Sequence, residues 1–179
     1  MQPRIPRQSA GEQDAPRPDG TDLDHRFTAE LASAVSGARR RAVRDGDRQV
    51  DTAHLLHSLL ESDGEVRAVL GDGPRIARLL GYLVQRSIGY GLRWQSAVED
   101  SGAVPLVTGV AGFSPLAAAA MEEAGARAAR RGHVRACGVD LLAALVADPQ
   151  ARAVEILARV AVEPRTVVAD VDRYFEPAS

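Results

Sequence analysis

His54 and His57, three residues apart, are the first side chains in this sequence whose type and spacing suggest chemistry. On a helix that spacing puts both imidazoles on one face, close enough to share a metal ion, with Asp51 nearby. A zinc site takes three or four protein ligands, and no further ligand follows at a clear spacing. The expectation is therefore a structural His54 beside a solvent-facing His57, with no metal and no other cofactor. His133 and Cys137 are four apart but straddle an expected turn, and no acid is placed to orient the thiol. Cys137 reads as an inert cysteine rather than a nucleophile. Arg39, Arg40, Arg41 and Arg44 have an echo in Arg127, Arg130, Arg131 and Arg135. Both runs fall in the last turns of a helix, where cations complement the macrodipole. Glu122-Glu123 and Glu61-Ser62-Asp63 are scattered acids without the pairing that acid–base catalysis needs. The sequence contains no Lys, which excludes Schiff-base chemistry and a phosphate-loop lysine. No catalytic residue is assigned.

Composition says which elements must position these groups. One Trp, three Tyr and three Phe, against abundant Ala, Leu and Val, favour close-packed helices over sheets. A net charge of −2 argues against a nucleic-acid or anionic-membrane partner. One cysteine excludes an internal disulfide and fits a reducing compartment, so a cytoplasmic location is expected. No stretch approaches the roughly 18 to 20 apolar residues needed to cross a bilayer. Residues 1–24 hold four prolines and no apolar run, and read as a flexible tail rather than a secretory signal.

The strongest organising signal is an internal repeat. Phe27-Thr28 returns as Phe113-Ser114, Gly46 as Gly132, and Leu55-Leu56 as Leu141-Leu142, each 86 residues on. Leu31, Ala34, Val35, Ala38 and Ala42 form a helical stripe whose partners are Ala117, Ala120, Met121, Ala124 and Ala128. Each copy reads as four helices. The first starts at an N-cap, Thr28 or Ser114, with Pro115 in the favoured first position. It ends near Gly46 or Gly132. The second starts at about Thr52 or Gly138, and the short third holds Val66, Val69 and Leu70 or Val154, Ile156 and Leu157. The fourth opens with Pro74-Arg75 or Pro164-Arg165. The expected organisation is a first repeat over 25–86, a linker over 87–112 and a second repeat over 113–175. A linker of that length is suspect of function, and it contains Tyr90 and Trp94.

Phe27-Thr28 before a helix, followed by a glycine and Asp51-Thr52-Ala53-His54-Leu55-Leu56, resembles the N-terminal domain of Clp-type chaperone ATPases. The resemblance covers roughly residues 25–175. It implies an all-α fold of two four-helix repeats related by a pseudo-twofold axis. It also implies a role in docking adaptors, substrates or small peptides onto an unfolding machine. The partners so implied are a Clp ATPase, its adaptors or substrates, or a peptide-like small molecule. The second copy has Gly138 and Val139 where the family's Thr and Glu are usual, and the first has Ala53 in place of the Glu. In members that read phosphorylated arginine, the Thr opening each repeat and that Glu help to bind the group. Thr28 and Ser114 keep the hydroxyls, but neither Ala53 nor Val139 can pair with a guanidinium, so phosphoarginine recognition is not expected. Phe27 and Phe113 correspond to the aromatic surface that certain cyclic-peptide antibiotics contact. The sequence has no Gly-x-x-x-x-Gly-Lys-[Ser/Thr] motif and is expected to lack the ATP-driven step.

The function expected is a non-catalytic binding module whose ligand residues are Phe27, Thr28, Phe113, Ser114, Tyr90 and Trp94. The alternative is a small enzyme or small-molecule-binding protein that reuses the scaffold, with the linker closing a pocket around His54, His57, Tyr90 or Trp94.

Overall fold

A computed structural model describes residues 25–71, 73–88, 99 and 112–177. Tyr90 and Trp94 lie outside them. Eight helices are present among the described residues: α1 Ala29–Asp45, α2 Thr52–Ser62, α3 Gly64–Leu70, α4 Gly73–Ser87, α5 Pro115–Arg130, α6 Gly138–Leu145, α7 Arg152–Ala158 and α8 Pro164–Tyr174.

Local signals in the sequence set the helix ends. Thr28 Oγ1 accepts from the Leu31 amide at 3.3 Å, and Ser114 Oγ accepts from the Ala117 amide at 3.1 Å. Each hydroxyl satisfies an amide that has no partner inside its own helix. Gly46 and Gly132, at φ 76° and 77°, supply the left-handed residues that stop α1 and α5. The buried face of α1 is Leu31, Ala34, Val35, Ala38 and Ala42, the stripe expected from its period.

α2 and α6 form the centre. Every residue of α2 from Thr52 to Leu60 is buried, and so is every residue of α6. A helix enclosed on all sides has to carry its polar residues in specific partnerships. α2 packs against α1 and α4 of its own half and against α5, α6 and α7 of the other; α6 packs against α5 and α8, and across the seam against α1, α2 and α3. Two isolated parallel bridges, Phe27 with Ala136 and Val50 with Phe113, join the halves. The four residues are paired by the 86-residue offset, Phe27 with Phe113 and Val50 with Ala136. One apolar cluster runs through both halves and includes Phe27, Leu31, Leu56, Leu79, Met121, Leu142 and Leu157. Among the described residues, no helix is long and apolar enough to cross a membrane.

Candidate functional site

The most concentrated polar chemistry lies where α2, α5 and α7 meet across the seam. Its centre is Glu99, which is only 4% exposed. Both carboxylate oxygens accept two hydrogen bonds. Oε2 takes the Thr52 amide at 2.8 Å and the Ser114 hydroxyl at 2.8 Å. Oε1 takes the Arg152 amide at 2.7 Å and the Thr52 hydroxyl. The Ala153 amide donates in turn to Thr52 Oγ1 at 3.0 Å. A carboxylate out of water is stable only with such saturation, and here three helices from both halves supply it. Ser114 therefore does two things at once: its oxygen caps α5 and its proton goes to Glu99.

The corresponding place in the other half is filled differently. Gly138 stands 86 residues after Thr52, and a Cβ there would lie 2.0 Å from Asp63 Oδ2. Asp63 caps α3, its Oδ1 accepting from the Glu65 and Val66 amides at 2.9 and 3.1 Å. Glycine at 138 is the residue that leaves room for this carboxylate. Each of the two places is thus occupied by an acid of the chain itself, Glu99 in one and Asp63 in the other.

Beside the Glu99 cradle, Asp51 organises a second network. Its Oδ1 accepts from the His54 amide at 2.8 Å, while its own amide lies 3.1 Å from His54 Nδ1, a reciprocal cap of α2. Asp51 Oδ2 receives Arg152 at 2.6 Å and Arg86 at 3.1 Å. Burial would push the Asp51 carboxyl up, but His54, Arg86 and Arg152 outweigh it and hold the group well below the usual carboxylate range.

The two histidines part company. His54 is buried, with Nε2 directed at Asp47 Oδ2, 3.0 Å away, and Asp45 Oδ2, 3.8 Å away. His57 is also buried, contrary to the solvent-facing expectation, because α2 is enclosed all round. Burial, reinforced by Arg41, pushes its pKa down to about 4, and its Nε2 faces Glu61 at 3.3 Å. The imidazoles share no metal position, and Asp51 approaches only His54.

The remaining sequence candidates lie outside these two networks. Phe27 and Phe113 are core side chains, 1% and 4% exposed, stacked under the guanidinium groups of Arg26 and Arg39. Thr28 is half-buried. Cys137 does have an acid beside it, since Asp140 Oδ2 lies 3.4 Å from Sγ. That acid is already held by Arg131 at 2.8 Å, and burial pushes the thiol's pKa up, so the group is not an activated nucleophile. Three arginines of the two runs are in ion pairs: Arg41 with Glu61, Arg127 with Asp172 and Arg130 with Glu123. A surface depression of about 380 Å³ lies among Arg127, Arg130, Arg131 and Phe175, and a smaller one of about 100 Å³ beside Val69, Ala161 and Thr166.

No family model and no curated protein matches the chain. Solved structures do match. One is the N-terminal domain of the caseinolytic protease-associated chaperone ClpD from Arabidopsis thaliana, at 19% identity and a TM-score of 0.64, covering 85% of this chain and 95% of that one. A second, from a structural study of a malarial protein secretion system, matches at 17% identity and a TM-score of 0.60, covering 84% of this chain and 95% of its own. At such identities the likeness speaks for fold, and in fold this is a Clp N-domain-like protein.

Proposed function

We propose that this chain is a non-catalytic binding module that engages components of a Clp-type unfolding system, acting as adaptor, competitor or decoy at the seam between its halves. The observation that carries this reading is a Clp N-domain fold running over most of the chain. The occupied cradle adds a condition. A ligand that uses the hydroxyls of Thr52 and Ser114 has to exchange with Glu99, because all four donors already point at that carboxylate. Thr28 and Ser114 contribute polar contacts in this reading, Phe27 and Phe113 back the seam from within, and Tyr90 and Trp94 extend the ligand surface.

Calorimetric titration with a Clp ATPase, its adaptors and cyclic peptides directed at Clp N-domains tests the proposal. Saturable binding by at least one is expected, tightened roughly tenfold in Glu99→Ala, where the internal competitor is gone. Absence of binding by all of them, in wild type and variant alike, would sink the idea. The alternative enzyme reading gains one observation, since Glu99 of the 87–112 segment does reach the seam. It would call for an enclosed apolar pocket of roughly 300 Å³ or more with convergent polar groups. The convergent groups here surround a carboxylate instead of a cavity.

A further inference from the structure

From the meeting of His54 with Asp45 and Asp47, we infer a binding site for a divalent transition-metal ion such as Zn²⁺ at the junction of α1 and α2. Asp45 is the last residue of α1, Asp47 follows the Gly46 stop, and His54 lies in the first turn of α2. One ligand atom from each lies within 4.8 Å of the others. The spacing suits a shared ion. Two ligands each about 2.1 Å from a tetrahedral zinc stand about 3.4 Å apart. The separations from His54 Nε2 to the two aspartates, 3.0 and 3.8 Å, bracket that value.

The histidine supports the assignment independently. His54 is completely buried, and its Nε2 has no partner in hydrogen-bonding geometry, although Asp47 is close. A polar atom so placed is costly unless something binds it. The outer shell is also in place. The ring is held in this orientation by Asp51, whose amide donates to Nδ1 at 3.1 Å, so Nε2 faces the two aspartates with the proton that an incoming ion would displace. Asp45 is oriented likewise, since the Ser87 hydroxyl donates to its Oδ1 at 2.5 Å and leaves Oδ2 toward the histidine. One nitrogen and two carboxylate oxygens, completed by water, make a borderline donor set that suits zinc and its neighbours better than calcium. The cations nearest these acids are Arg44, 3.7 Å from Asp45 and exposed, and Arg86, 3.8 Å from Asp47 and turned mainly to Asp51. The sequence hides the site because its second and third ligands precede the histidine at irregular spacing, while His57, the obvious partner, belongs elsewhere.

Titrating the metal-free full chain with Zn²⁺ by calorimetry, alongside thermal unfolding, tests the site. One ion per chain is expected, with a rise in Tm on loading. Asp47 is 43% exposed, so Asp47→Asn should fold as wild type does yet bind at least roughly tenfold more weakly. Ser87→Ala should weaken binding to a smaller degree, and His57→Gln and His133→Gln should leave it intact. No saturable binding, affinity unchanged in Asp47→Asn, or binding lost in His133→Gln would each overturn the assignment.

Discussion

His57 and Cys137 show how burial, rather than residue type, decides what a titratable group does. A histidine whose pKa falls from 6.5 to about 4 on folding is neutral in the native state over a range where the unfolded chain takes up the proton. Stability should therefore rise with pH between about 4 and 6.5, because the unfolded state binds more protons there. Urea midpoints across that range should fall on acidification in wild type and fall less in His57→Gln. An unchanged acid limb in the variant would contradict this. For Cys137, the upward shift and partial burial predict slow alkylation by iodoacetamide at neutral pH, accelerating on unfolding. At this scale the sequence was only partly legible. The caps at Thr28 and Ser114 were readable because capping is local. The buried state of His57 was not, because nothing in the neighbouring residues reports that α2 is covered on every side.

The central helices owe their closeness to small residues at chosen points. Gly37 on α1 faces Ser58 on α2, whose hydroxyl donates to the Ala34 carbonyl at 2.6 Å, and a Cβ at 37 would stand 2.5 Å from Ser58 Oγ. At Gly138 the obstacle is Asp63, which caps α3 and is held in place by two amides. Gly138→Ala should accordingly cost about 1–3 kcal/mol by displacing that cap, measurable as a lower urea midpoint. A variant as stable as wild type would show that Asp63 can leave the α3–α6 contact without loss of its cap. The helix periods, the glycine stops and the prolines opening α5 and α8 were all visible in sequence. The departure from the repeat at Gly138 was visible too, but its reason was not, since Asp63 reaches it only through folding.

Across the whole molecule, the 86-residue offset that organises the sequence reappears in space as two reciprocal bridges and one shared core. The offset gives no hint of the group in which Thr52, Ser114 and Arg152 meet. Glu99 is followed by Asp100 in a Gly-, Ser- and Val-rich stretch, with no periodicity or motif to single it out. Only the convergence of Thr52, Ser114 and Arg152 gives it meaning, and those residues are brought together from three helices. Removing the carboxylate leaves buried donors unsatisfied, so Glu99→Ala should lose roughly 2 kcal/mol of stability even as it frees the seam. That trade distinguishes a group retained to occupy a binding position from one retained for stability alone. The most direct test of a seam-binding module is to titrate ¹⁵N-labelled protein with a cyclic peptide that binds Clp N-domains, following the backbone amides. Shifts concentrated at Thr28, Thr52, Ser114 and Arg152 are predicted. A bound peptide whose shifts are confined to the Arg127–Phe175 surface, with Thr52, Ser114 and Arg152 unmoved, would contradict the account.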